Sequence, residues 1–290
     1  MLTADPSILK EWVEYMALEI GRRPATRPDL LRKAAERISK QFQSLEYRVT
    51  EQAVPYRRTF HTNIIASPQD ENDPDPSRKL LAVGAHYDTV SRSPGADDNA
   101  SGVAGLIELA RLLADNPPPG IRLIAFCPEE PPAFQTKTMG SYVYARSLRQ
   151  NKVRLKGMIC LEMIGYFLDT PKSQSYPLPF MNTIYPDEGN FIALVGNIRS
   201  MMWTRRVRNA FRQGTDLPAE TLNGPSLIAG INFSDHWSFN KFGYPAVMVT
   251  DTAFYRTPHY HLPSDLPDTL DYTRMAQVIN GLAAAAEILG

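Results

Sequence analysis

From residue 79 onward the chain alternates short apolar runs with amphipathic ones, and no other feature of the sequence limits the fold as strongly. Apolar runs of strand length occupy Lys79–Ala85, Ile121–Cys127, Gly157–Met163, Ile192–Gly196 and Ala246–Thr250, with a short one near Ser226–Ala229. Helical spacing marks Ser101–Ala114, Gly140–Arg149, Met201–Gln213, Asp235–Phe242 and the stretch from Asp271 to the end. Strands that alternate with helices pair in parallel, because each helix is the crossover that returns the chain to the same edge. The expected fold is therefore α/β: a three-layer α/β/α sandwich around a central mixed, mostly parallel sheet. Two amphipathic helices precede this pattern, one starting at Pro6 and one at Arg27-Pro28-Asp29. Extended segments follow at Tyr47–Pro55 and Thr59–Ala66. The stretch SPQDENDPDPSR (67–78) then reads as a solvent-exposed loop. The reading is of one domain over 1–290, with the helices of 1–45 packed on it.

In such sheets ligands sit at the carboxyl ends of the strands. The residues expected there are His86 and Asp88 after the first strand of the alternating region, and Glu129-Glu130 after the next. Glu162 comes at the end of the third, and His259-Tyr260-His261 in the loop after Thr250. Asp98 joins them from the loop that enters the helix at 101. Each has a plainer role if taken alone: Asp98 as a helix cap, Glu129-Glu130 as a solvated pair, a histidine as a surface residue. Glu162 is the exception. It interrupts the apolar run GMICLEMIGYF, and a buried carboxylate needs a cationic partner. Imidazoles and carboxylates without thiolates suit zinc, with manganese or cobalt as substitutes. Two histidines and three carboxylates suffice for two metals if one carboxylate bridges.

The pieces AHYDT, GADDNASG, EE, LEMIG and HYH…SD, in this order and spacing, resemble the co-catalytic zinc aminopeptidases of metallopeptidase family twenty-eight. The resemblance covers Thr59 to the C-terminus and implies a zinc-peptidase-like fold, two zinc ions and a peptide substrate with a free N-terminus. Carried over by motif, His86, Asp98, Glu130, Glu162 and His261 match metal ligands, with Asp98 as the bridge in preference to Asp97. Glu162 stands where many members have aspartate; a glutamate still ligates, through one more methylene. His261 is preferred to His259, although in an extended loop His259 would share its face. Glu129 matches the base that takes a proton from the attacking water, and Asp88 the acid that orients His86. Tyr260 is a candidate donor to the oxyanion, with a packing role as the alternative. Asp235 reads mainly as an N-cap, with a supporting role behind the metal ligands as the alternative, and His236 and His61 as structural. The resemblance also implies a cis peptide bond at Asp98-Asn99.

The sequence departs from that pattern after the paired glutamates, where PPAFQTKTM intervenes before Gly140-Ser141 and is a candidate wall of the substrate pocket. The Pro- and Tyr-containing stretch at 166–190 is a candidate lid, dimer contact or plain surface loop. Two alternatives share the fold. Glutaminyl-peptide cyclases use one zinc and no attacking water, and a non-catalytic binding module would have lost ligands. The complete ligand set and Glu129 favour the peptidase.

With 31 basic residues matched by 31 acidic ones, nucleic-acid binding and attraction to acidic membranes are not expected. No apolar run approaches the ~20 residues of a membrane span. The opening MLTADPSILKEWVEYM has no basic segment followed by an apolar core, so the chain is expected to be cytoplasmic unless a leader was removed. Cys127 and Cys160 lie in apolar runs and read as buried free thiols, with a disulfide between neighbouring strands left open.

Overall fold

The computed structural model describes residues 2–69 and 78–290. Most of the expected exposed loop, 70–77, lies outside the described residues. Helix α1 (Pro6–Glu14) starts at a proline behind an Asp5 cap and runs on through a wider turn at Tyr15–Ile20; α2 spans Pro28–Ser44. The hairpin β1 (Tyr47–Tyr56) and β2 (Thr59–Pro68) follows. Next come β3 (Leu80–His86), α3 (Gly102–Leu113), β4 (Ile121–Phe126), α4 (Gly140–Gln150) and β5 (Leu155–Leu161). The chain continues through β6 (Ile192–Asn197), α5 (Met201–Phe211), β7 (Ala219–Gly224), α6 (His236–Lys241), β8 (Ala246–Thr250) and α7 (Tyr272–Leu289).

The eight strands form one sheet in the order β1-β2-β4-β3-β5-β8-β6-β7. The inner four, β4-β3-β5-β8, run parallel; β2 joins β4 antiparallel, and β6 joins β8 antiparallel. Alternation along each strand divides the core into two layers. Leu81, Val83, Ile159, Leu161, Val247 and Val249 face α1, α2, α3, α5 and α7. Ala82, Met158, Cys160, Ala246 and Met248 face α4 and α6. Each large apolar side chain removed from water contributes about 1.5–3 kcal/mol, so strands apolar on both faces are held only when both are covered. Gly157 shows how close the first layer lies. A Cβ there would stand 2.3 Å from the Trp203 ring, whose Nε1 donates to the Met158 carbonyl at 3.0 Å. Both cysteines are buried free thiols.

One expected element is displaced. Ser226–Ala229 forms turns, and the strand is β7, directly before it. The apolar density of SLIA suggested a buried strand. β7 sits at the edge of the sheet, where a strand needs little apolar content, so AETLNG carries a weak signal.

Candidate metal centre and active site

Four parallel strands end side by side, and each delivers part of one site. β3 ends at His86. β4 leads through a cis Cys127-Pro128 bond to Glu129-Glu130. Glu162 follows β5 and still donates its N–H to the Val249 carbonyl of β8. The loop after β8 turns back and places His261, at φ 59°, over the same edge. Asp98 reaches the site from the turn before α3, and the Asp98-Asn99 peptide bond is cis, as the resemblance implied.

The side chains meet as two overlapping trios, His86–Asp98–Glu162 and Asp98–Glu130–His261. His86 Nε2 lies 3.5 Å from Asp98 Oδ1 and 3.3 Å from Glu162 Oε2. His261 Nε2 lies 3.1 Å from Asp98 Oδ2 and 3.3 Å from Glu130 Oε2. Asp98 thus turns one oxygen to each trio. Glu129 Oε2 stands 4.0 Å from His86 Nε2, inside the ring of ligating groups but in neither trio. A cavity of about 420 Å³ opens over both trios, walled by Pro131, Phe134 and Phe233. The PPAFQTKTM segment does line the pocket.

Four buried carboxylates against two imidazoles is a large excess of one charge, costly unless compensated. In the protein alone, protons do the compensating. Burial, then Glu130 and Glu162, raise Glu129 well above the usual range against the pull of His86. Burial and the Asp98 charge push Glu130 up to about 8, and burial also raises Glu162. Burial opposes charge on the imidazoles, but the carboxylates override it. His86 is raised well above its ordinary value by Glu162 and Glu129, and His261 to about 10 by Asp98 and Glu130. Burial would raise Asp98, yet its bonds to His261 and His86 hold it below the usual carboxylate range. A pocket of nitrogen and oxygen donors that can neutralise itself only with protons fits a divalent cation of zinc type.

The supports around the trios come from distant segments. Asp88 accepts from the backbone N–H of Glu129 (2.9 Å) and Glu130 (3.1 Å), and His86 Nδ1 lies 3.2 Å from its main-chain carbonyl and 3.5 Å from its Oδ1. It therefore positions both the imidazole and the paired glutamates. Asp265 accepts from the N–H of Asp97 (2.8 Å) and Asp98 (3.2 Å), holding the turn that carries the shared carboxylate. The Ser234 hydroxyl donates to Glu162 Oε2 at 2.6 Å. Asp265 and Ser234 were not singled out from the sequence; the pairing of His261 with Asp265 four residues on was the one available hint for the first.

Arg23 was also not foreseen, and it is the largest fully buried side chain. Its guanidinium donates to the carbonyls of Met16, Gly21, Tyr87, Pro94 and Gly95, tying the end of the first helical segment to the single β3–α3 connection that carries His86 at its start and Asp98 near its end. Burial lowers its pKa to about 10, with Asp88, Asp265 and Asp98 as the opposing charges that keep it ionised. Arg23→Met leaves the Gly21, Tyr87 and Pro94 carbonyls without a donor, while those of Met16 and Gly95 keep the N–H groups of Gly21 and Ala100, and each buried orphan costs about 1–3 kcal/mol. The expected loss is at least about 3 kcal/mol in urea unfolding. A loss within about 0.5 kcal/mol, as at a surface site, would show the cage to be dispensable.

One alternative is closed and one expectation needs correction. The loop at 256–262 is turned rather than extended, so His259 does not share a face with His261; its Nδ1 lies 3.0 Å from Ser264 Oγ, and its ring meets Tyr166 edge-on. Asp235 precedes α6 but makes no capping bond, because its backbone is already helical (φ −53°, ψ −30°) and its carboxylate cannot turn back to the helix N–H groups. It is instead fully buried, and burial raises it to about 7. His236 and His61 are buried away from the trios; His236 Nε2 bonds the Ile231 carbonyl. Tyr260 stacks on His261, ring centroids 3.8 Å apart, and faces the cavity. Residues of 166–190 line a second cavity that shares Glu162, Phe233 and Tyr260 with the first.

Among the described residues no helix is long and apolar enough to cross a membrane. In sequence, the chain is 45% identical over 288 residues to the uncharacterized protein YfbL of Escherichia coli (strain K12), covering 96% of this chain and 87% of that protein. It is 25% identical over 219 residues to leucine aminopeptidase 1 of Ajellomyces dermatitidis, covering 70% of this chain and 51% of the fungal enzyme, so it spans about half the length of that relative. In fold it is similar to the LapA aminopeptidase of Legionella pneumophila (TM-score 0.76, 20% identity, 99% of this chain and 72% of that one). The zinc aminopeptidase BSAP of Bacillus subtilis matches with TM-score 0.73, 18% identity, and coverage of 98% and 95%. A glutaminyl cyclase of Fimbriiglobus ruber matches with TM-score 0.69, 22% identity, and coverage of 99% and 96%. The sequence pattern of peptidase family M28 matches residues 63–286, a span that contains both trios, Glu129 and the Asp88 and Asp265 supports. The chain belongs to peptidase family M28.

Proposed function

We propose that the chain is a zinc-dependent aminopeptidase, with His86, Asp98 and Glu162 holding one zinc and Asp98, Glu130 and His261 a second. The observation that carries this reading is the placement of Asp98, whose two oxygens each face a complete trio. Zinc bound there acidifies a water and offsets negative charge on the substrate's carbonyl oxygen.

The remaining work falls to the protein's own groups. Glu129, buried on the cavity side of His86, takes the proton from the water and passes it to the leaving amine. Asp88 keeps Glu129 and His86 in register by bonding the backbone of one and facing the ring of the other. The Tyr260 hydroxyl, held protonated by burial and the nearby carboxylates, donates to the carbonyl oxygen as charge develops. The acidic floor of the cavity favours the cationic α-ammonium of a free N-terminus over a blocked one.

The test uses the zinc-loaded protein and pairs of peptides differing only in N-terminal acetylation. The expected outcome is stepwise release of residues from free N-termini, none from acetylated ones, and loss of activity on chelation with recovery on zinc addition. Cyclisation of a glutaminyl peptide without hydrolysis, or cleavage at internal bonds, would overturn the reading.

A further inference from the structure

The cavity beside the proposed metal centre extends away from it across the sheet. Its floor is a transverse row of residues on four adjacent strands. Leu161 of β5 pairs with Val249 of β8, so the next position sets Glu162 beside Thr250; Thr250 pairs with Ala193 of β6, and Ala193 with Glu220 of β7. All four line the cavity. Three strand spacings of about 4.8 Å place the Glu220 backbone about 14 Å from that of Glu162. Between them Thr250 and Ala193 are small, which leaves an open lane over the sheet. On this face α4 and α6 contact β2, β5 and β8, and the segment 169–189 covers the far end instead. There Tyr176 and Tyr185 stack at 5.6 Å, and the Tyr185 hydroxyl donates to the Thr221 carbonyl, beside Glu220.

The walls of this lane are apolar and aromatic, and its two ionisable acids stand at opposite ends. Glu162 belongs to the metal trio. Glu220 is half-buried, and among the described residues its carboxylate has no ion pair or hydrogen bond. No lysine, arginine or histidine lines the cavity. Arg256, behind the Phe191 ring, donates to Gln174 Oε1 and the Tyr166 carbonyl. A carboxylate at the end of an apolar lane lacks a cation, and a long side chain with an apolar stem and a cationic tip supplies both halves of the match.

We propose that Glu220 is the specificity residue of this pocket, and that the enzyme prefers peptides whose N-terminal residue is arginine or lysine. This rests on the aminopeptidase reading above and adds the substrate's side-chain class to it. The stem of the residue lies along Thr250, Ala193 and the facing aromatic rings, and its cationic head meets Glu220 under the 169–189 cover.

The experiment measures kcat and KM for arginyl, lysyl, leucyl and methionyl amide substrates with the zinc-loaded enzyme, Glu220→Gln and Glu220→Lys. The unmodified enzyme should favour the arginyl and lysyl substrates. Glu220→Gln should lower kcat/KM for those two by about ten- to a hundredfold, chiefly through KM, and leave leucyl and methionyl turnover within about twofold. Glu220→Lys should invert the preference and admit a glutamyl substrate. An equal fall for all four substrates would assign Glu220 a structural role only. Unchanged ratios, with leucyl activity intact, would overturn the assignment while leaving the aminopeptidase reading standing. No hydrolysis of any substrate would overturn both.

Discussion

Glu129→Gln is expected to lower kcat by about a thousandfold, within the range of a lost general base, while zinc content and fold are retained. The substitution keeps the shape of the side chain and removes only its ability to take a proton. The structure explains why the rest of the site should survive. Asp88 holds this segment through the backbone N–H groups of Glu129 and Glu130, which glutamine leaves in place. Glu129 is in neither trio, so no ligand is lost. In the metal-free chain burial and its acidic neighbours hold Glu129 protonated, so glutamine removes no charge there, and the metal-free variant should melt close to the unmodified chain. Zinc analysis, kcat and thermal melts on the same preparation check all three. Retained wild-type turnover would remove Glu129 from the chemistry, and loss of zinc would make it a ligand instead.

Asp98→Asn carries the second large effect, of the opposite kind: the metal goes first and activity with it. The carboxylate presents one oxygen to each trio, and a carboxamide retains a single oxygen and points N–H donors at the other partner. Zinc retained after dialysis should fall from two ions to at most one, and kcat/KM by at least about a hundredfold. The metal-free chain gives an independent readout. His261 has its folded pKa raised from 6.5 to about 10, with Asp98 first among the groups that raise it against burial. A raised pKa means the folded state holds a proton that the unfolded state gives up. That stabilisation is complete below about pH 6.5 and is lost as pH rises through about 10. In Asp98→Asn this part of the fall in melting temperature between those pH values should shrink. Two zincs retained and an unchanged pH slope would show that Asp98 is not the shared ligand.

The elements themselves were legible because hydrophobic periodicity is a local property. The helices and the inner strands lie within a few residues of where the spacing put them. β7 was missed because an edge strand is covered on fewer sides and carries less apolar content. The clustering of acid and imidazole was legible for a related reason. The strands that carry these residues have directions set by their crossovers, so side chains from four connections must reach one edge. Asp235 was misread as a cap because a helical backbone decided its side-chain direction, and the turn at 256–262 decided between His261 and the alternative His259.

By itself the sequence determined a mostly parallel α/β sheet, the segments that supply acid and imidazole to its carboxyl edge, and the family to which such a set belongs. Those properties follow from the spacing of neighbouring residues. Only the tertiary structure decided that Arg23 locks the β3–α3 connection, that Asp265 and Ser234 hold Asp98 and Glu162, and that Glu220 shares a row with Glu162. Each joins residues from separate segments of the chain. Their meeting depends on the strand order β5-β8-β6-β7 and on packing across the layers, neither of which leaves a local imprint in the residues concerned.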